Sequence, residues 1–150
     1  MSYTIRPMNI EDYPLLRTLW EEAEGLSLEE SDSEEAIGIY LKRNRRLCFV
    51  ACDGENIIGT ILCGHDGRRG ILRHLAVRGN YRKAGIARAL INCSLSALGK
   101  DGIEKCNVFV LDTNVEGRRF WQHMGWVALE DNFRTLQVAT RKRNGAAEHG

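Results

Sequence analysis

The residue pattern predicts an α+β fold in which a mixed, mostly antiparallel sheet of about seven strands carries four helices. Three observations lead there. Apolar runs of strand length cluster between Leu47 and Val77 and are separated by turn signals, as in an antiparallel meander. Two segments with apolar residues at spacings of three and four precede that cluster. A helix, a strand and another helix follow it, so the order reads βααβββαβαββ rather than the strict alternation of a doubly wound parallel sheet.

Each element has its own signal. Tyr3 to Arg6 alternates and stops at Pro7, as a first strand should. Asn9 can cap a helix in which Tyr13, Leu16, Leu19, Trp20 and Ala23 share a face, with Gly25 closing it. Ser31 or Ser33 opens a second helix through Ile37, Tyr40 and Leu41, ending near Asn44. Leu47–Cys52, Ile57–Cys63 and Ile71–Val77 read as strands joined by the turns Asp53-Gly54-Glu55-Asn56 and Gly64-His65-Asp66-Gly67-Arg68-Arg69-Gly70. Ile86 to Leu98 is apolar on most sides, the mark of a helix covered by a sheet. Glu104 to Leu111 is a further strand, Asn114 caps a helix through Met124, and Gly125 stops it. Trp126–Leu129 and Phe133–Ala139 are expected to form a closing hairpin.

A chain of 150 residues with 43% hydrophobic and 27% charged residues suits one globular domain. That domain is expected over residues 1–140, with a disordered tail over 141–150. The five cysteines form no C-x-x-C pair and each lies in an apolar stretch, so they read as buried small hydrophobes rather than metal ligands. No signal peptide or membrane-length apolar run is present, and a cytoplasmic protein is expected. The net charge of +1 hides a polarity along the chain. Ten acidic residues lie between Glu11 and Glu35, whereas the stretch from Gly67 to Lys100 has basic residues and no acidic one. A nucleic-acid partner is disfavoured by the near-neutral total and by the lack of interleaved aromatics.

The segment with the most chemistry is His74-Leu-Ala-Val-Arg-Gly-Asn-Tyr-Arg-Lys-Ala-Gly-Ile-Ala-Arg. A strand ends at Val77, a polar turn follows, and a helix begins near Gly85. Unpaired N–H groups and the partial positive charge at a helix start are a seat for phosphate. Arg82, Lys83 and Arg88 add charge, Gly85 allows close approach, and Ala84 and Ala87 leave room. Neither a P-loop nor a dinucleotide fingerprint is present.

Arg82-Lys83-Ala84-Gly85-Ile86-Ala87 resembles the R/Q-x-x-G-x-G/A loop of the GNAT superfamily of N-acetyltransferases, with Leu75-Ala76-Val77 and Tyr81 placed as in that family. Asn114 followed by Phe120-Trp121-Gln122-His123-Met124-Gly125-Trp126 is similar to the family's second block. The Gly64–Gly70 turn together with Phe120-Trp121 and Gly125-Trp126 resembles a bacterial branch of small GNAT proteins. The resemblance implies acetyl-CoA as cofactor. Leu75, Ala76 and Val77 would offer backbone groups to the pantetheine arm, and the amides of Arg82, Lys83, Ala84, Gly85, Ile86 and Ala87 would hold the diphosphate. Asn114 would lie near the pantetheine, and Phe120 and Trp121 near the thioester. It implies direct attack by a primary amine, of a small molecule or a peptide, in a ternary complex. A homodimer is a further expectation, since dimers are common in the family.

Trp121 stands where many members have a tyrosine that protonates the departing thiolate, and an indole N–H is no proton source near neutral pH. A catalytically silent acyl-CoA-binding module is therefore the alternative reading. The residues mark no unique general base. His74, His65, Asp66 and Glu29 are candidates, as is a water-mediated route. Glu29 and Asp32, between the first two helices, and His65 and Asp66 are candidates for contacting the acceptor.

Overall fold

The computed structural model describes residues 2–129 and 134–141. It divides into two compact units, one running to Leu111 and the other starting at Asp112.

The first unit is built on a five-stranded sheet of order β1-β2-β3-β4-β5. Its strands are β1 (Thr4–Pro7), β2 (Phe49–Asp53), β3 (Asn56–His65), β4 (Gly70–Val77) and β5 (Cys106–Val108). The first three pairings are antiparallel and the last, β4 with β5, is parallel. β1 ends at Pro7, as its sequence suggested, and Pro7 pairs with Phe49 as the last rung of the ladder. An edge strand tolerates this, because proline lacks only an outward N–H.

Three helices cover the sheet: α1 (Tyr13–Glu22), α2 (Glu34–Arg43) and α3 (Ile86–Lys100). Asn9 precedes a short 3-10 turn, Ile10–Asp12, and α1 follows that turn. Ser33 caps α2 by accepting the Ala36 N–H at 3.1 Å. Successive strand residues face opposite ways. Val50 and Cys52 therefore join Leu16, Leu19, Trp20 and Ile37 in one apolar cluster with α1 and α2. Ala51, between them, lies beside Gly59 beneath Ile86 and Leu90 of α3. A Cβ on Gly59 would come within 3.1 Å of Leu90 and 3.2 Å of Ile86, so this glycine sets how closely α3 approaches the sheet.

Cys48, Cys52 and Cys63 are buried, and Cys93 and Cys106 are partly so. Burial pushes the Cys48 thiol up to about 12 and the Cys106 thiol up to about 11, and raises Cys63 as well. No helix among the described residues is long and apolar enough to cross a membrane.

The second unit contains α4 (Val115–His123), capped by Asn114, whose side chain accepts the Gly117 N–H at 2.9 Å. A Cβ at Gly117 would fall 2.5 Å from that amide, so a larger residue there would have to displace the cap. The expected closing hairpin is corrected: Trp126–Leu129 and residues 134–139 form no strand, and residue 133 lies outside the described residues. Their apolar alternation suits a strand, but a strand needs a ladder partner and an isolated hairpin is marginal. The sheet thus has five strands among the described residues rather than seven.

Candidate active site

Two features of the first unit converge on the end of β4. The parallel partner β5 covers only Gly70, Leu72 and the residue between them. Arg73 to Val77 continue past it, bonded to β3 on one side and, among the described residues, without a strand on the other. That free edge can pair with an extended amide-bearing chain as a strand would. A cavity of about 370 Å³ adjoins its end, lined by Leu19, Ala76, Val77, Asn80 and Arg82 among others. A larger cavity of about 650 Å³ is lined by Arg45, Leu47, Asn92, Ser96 and Lys100, toward the far end of α3, and has no part in this site.

Beyond Val77 the chain turns through Gly79–Tyr81 into the start of α3. Tyr81 is anchored by its hydroxyl to Asp53 at 2.6 Å, and Arg78 is held by Glu22 at 3.1 Å. The Arg82 N–H donates to Gly79 at 3.3 Å, and the next backbone bond is from Ala89 to Gly85 at 3.0 Å. The N–H groups of Lys83, Ala84, Gly85, Ile86, Ala87 and Arg88 make no hydrogen bond between them among the described residues. None of Arg82, Lys83 and Arg88 is paired with a carboxylate there either. A row of free N–H donors at the start of a fifteen-residue helix, with unneutralised cations around it, fits a diphosphate. Gly85 has a φ of 81° and Lys83 a φ of 65°. A Cβ on Gly85 would meet nothing within 4 Å, so its left-handed backbone, rather than crowding within the protein, calls for glycine.

His74 lies on the free stretch of β4, at an irregularity. Thr60 pairs with Ala76 and Leu62 with Arg73, so His74 and Leu75 together oppose Ile61. This is a β-bulge, and His74 sits in it at φ 50°, a conformation uncommon for any residue but glycine. Its Nε2 is 2.6 Å from Oδ1 of Asp32, and the two side chains are 14% and 8% exposed. The His74 carbonyl accepts from the Thr60 hydroxyl at 2.8 Å, and that hydroxyl accepts from the Trp20 indole N–H at 2.9 Å. The Trp20 ring stands edge-on to the imidazole, with centroids 4.9 Å apart.

The remaining sequence candidates fall in different places. Asp32 is turned inward to His74, while Glu29 is exposed and bonds through its backbone N–H to Asp32 Oδ2 at 3.0 Å. His65, the last residue of β3, and Asp66, in the turn after it, lie at the opposite end of β4 and are not brought together with His74. The Gly67 N–H donates to His65 Nδ1 at 2.9 Å, and Nε2 lies 3.2 Å from Asp101. Asp66 receives the N–H groups of Arg68 and Arg69 at 2.8 and 2.9 Å. The N–H of Arg69, then that of Arg68, holds its carboxyl below the usual range. Both residues shape their own turn. In the second unit, Trp121 is 9% exposed and packs edge-on against Trp126 at 4.8 Å and Phe120 at 5.3 Å. Sequence reasoning missed Thr60 and took Trp20 only as core. The one available signal was a lone threonine inside the apolar run Ile57–Cys63.

A sheet that opens on one side of a bulged strand, beside a helix N-terminus with free amides, is an acyltransferase layout. The comparisons agree. The model of the acetyltransferase (GNAT) family matches residues 13–126. "Acetyltransferase SG1711" of Sodalis glossinidius (strain morsitans) is 34% identical over 110 residues, covering 73% of this chain and 77% of that protein. Among solved structures, the PaiA N-acetyltransferase of Thermoplasma acidophilum, in complex with coenzyme A, superposes with a TM-score of 0.76. It is 23% identical, over 88% of this chain and 94% of that one. The ribosomal-protein-S18-alanine N-acetyltransferase of Escherichia coli gives 0.67 at 19% identity, over 83% and 77% of the two chains. These two likenesses show the fold. The chain belongs to the GNAT acetyltransferase family. Membership carries the coarse activity with it, acyl transfer from acetyl-CoA.

Proposed function

We propose that this protein is an N-acetyltransferase that moves the acetyl group of acetyl-CoA onto a primary amine, of a small molecule or of a peptide. One observation carries the reading: among the described residues, the free edge of β4 from Arg73 to Val77 leads, through the turn Gly79–Tyr81, to the unpartnered N–H groups of residues 83–88. A pantetheine arm has amides for the first and CoA has a diphosphate for the second. When bound, acetyl-CoA supplies an activated thioester. Leu75, Ala76 and Val77 line the arm, and Arg82 to Ala87 hold the diphosphate. The family resemblance alone assigns Asn114 and Phe120 to the pantetheine side, and Trp121 to the cofactor wall rather than to the role of acid.

His74 receives the proton of the attacking amine, as the one sequence-expected base that lies on the free stretch of β4. Amine nitrogen bonds to the acetyl carbon, the carbon–sulfur bond breaks with its electron pair on sulfur, and the proton ends on the imidazole. A thiol has an ordinary pKa of about 8.5, so its thiolate departs without a dedicated acid. Amine-dependent release of free CoA thiol, followed over a panel of small amines and peptides, tests the reading. Sustained turnover with at least one amine is expected. Tight acetyl-CoA binding with no release across the panel would leave a binding module instead.

A further inference from the structure

We infer that Asp32 is a positioning residue for His74, fixing the tautomer in which Nδ1 is left free to take the amine proton. The inference rests on the acyl-transfer reading above and goes one residue deeper into its machinery. The acidic stretch between α1 and α2 does not simply offer charge to an acceptor, because this carboxylate is already engaged.

Both partners are pinned from their own sides. Asp32 ends the 3-10 turn Glu30–Asp32, where its Oδ2 accepts the Glu29 N–H at 3.0 Å. Its carbonyl accepts from the Tyr13 hydroxyl at 2.5 Å, and Arg17 donates to that hydroxyl at 3.2 Å. The backbone of Asp32 is thus held from α1 and its carboxylate from its own turn, and Oδ1 is presented to the imidazole. His74 is fixed by Thr60 at its carbonyl, by the edge-on Trp20 ring, and by the bulge. The neighbouring Arg73 is directed elsewhere, over the Phe109 ring at 5.8 Å.

Carboxylate oxygens accept and do not donate, so the hydrogen of the 2.6 Å bond belongs to Nε2. Nδ1 makes no hydrogen bond among the described residues and is the nitrogen with a lone pair to offer. A left-handed backbone at a non-glycine residue persists only where the surroundings over-determine it, and such strain concentrates at working sites. A histidine that only filled space would need neither the bulge nor the carboxylate.

The experiment pairs a spectrum with kinetics. In the wild-type protein, nitrogen-15 spectra of the histidine rings at alkaline pH should show His74 with its hydrogen on Nε2, a result that needs no activity. Asp32→Asn can donate from its amide to Nε2 and push the hydrogen to Nδ1. It should lower kcat by roughly 100-fold or more, the range of general-base catalysis. Acetyl-CoA affinity should stay unchanged by calorimetry. Asp32→Glu, which keeps an accepting carboxylate, should recover part of kcat. A wild-type His74 carrying its hydrogen on Nδ1 would overturn the inference. So would a folded Asp32→Asn protein with wild-type kcat. Loss of kcat in His74→Ala with no loss in Asp32→Asn would sink the positioning role and leave the base in place. Wild-type kcat in His74→Ala would sink the base itself.

Discussion

Gly59 should govern both the stability of the first unit and its hold on the cofactor, and replacing it with alanine makes this measurable. The added Cβ lies 3.1 Å from a Leu90 methyl, 3.2 Å from one of Ile86 and 3.4 Å from Ala51. These neighbours are buried, with Leu90 0% and Ile86 2% exposed, so they cannot swing away into solvent. They must yield by a few tenths of an ångström, which moves the first turns of α3 off the sheet. Overpacking of this kind costs about 1–3 kcal/mol. Loss of unfolded-state freedom on replacing glycine offsets about 0.4–1 kcal/mol. The net is about 1 kcal/mol, or a drop in Tm of about 2–4 °C for a chain of this size. Ile86 is the first residue of α3, so its displacement also moves the free N–H groups. Acetyl-CoA binding should weaken by roughly 3- to 10-fold, about 0.7–1.4 kcal/mol. Thermal denaturation and calorimetry on the variant read both numbers. An unchanged or higher Tm with unchanged affinity would refute the claim that this close contact seats the helix.

Thr60→Val should cost about 2–3 kcal/mol, because it strands the buried Trp20 N–H and the His74 carbonyl together. Thr60→Ser should recover most of that loss in a denaturant titration. Burial raises the thiols of Cys48, Cys63 and Cys106, so their stabilisation is complete below the ordinary thiol pKa. It should be lost as pH rises from about 9 toward the folded values, at roughly 1.4 kcal/mol per unit for each. Guanidinium melts at pH 8, 9 and 10 would show it. At the acid end, burial raises the Asp12 carboxyl, but Arg6 (both contacts at 2.8 Å) and the Asn9 N–H outweigh it and hold it below the usual range. That stabilisation is present above the ordinary carboxylate pKa and lost as pH falls through the lowered one. Asp12→Asn should therefore flatten the acid limb of the stability curve.

The parts of this molecule that follow from neighbouring residues could be read in the sequence. Spacings of three and four marked α1 and α2, and Ser33 and Asn114 cap helices where short polar side chains were expected to. The helix start with its free N–H groups was equally local, since a strand end, a turn and that helix start lie within a few residues. The Asp32–His74 contact was hidden because its partners are 42 positions apart and meet only through the packing of α1 on the sheet. Nothing in His-Leu-Ala-Val announces a bulge, which arises from how β4 registers against β3. The closing hairpin failed for the reverse reason. Val127, Leu129, Leu136 and Val138 alternate as strand residues do, yet all are more than 70% exposed and have no ladder to join.

The grip of the α3 amides on a diphosphate is tested most directly by titrating the wild-type protein with acetyl-CoA and, separately, with acetyl-pantetheine. The two ligands share the thioester and the amide arm, and the second lacks the diphosphate and nucleotide. Acetyl-CoA should bind at least roughly 100-fold more tightly, about 2.7 kcal/mol, and inorganic pyrophosphate should compete with it. Equal affinity for the two ligands, with no competition by pyrophosphate, would contradict the account.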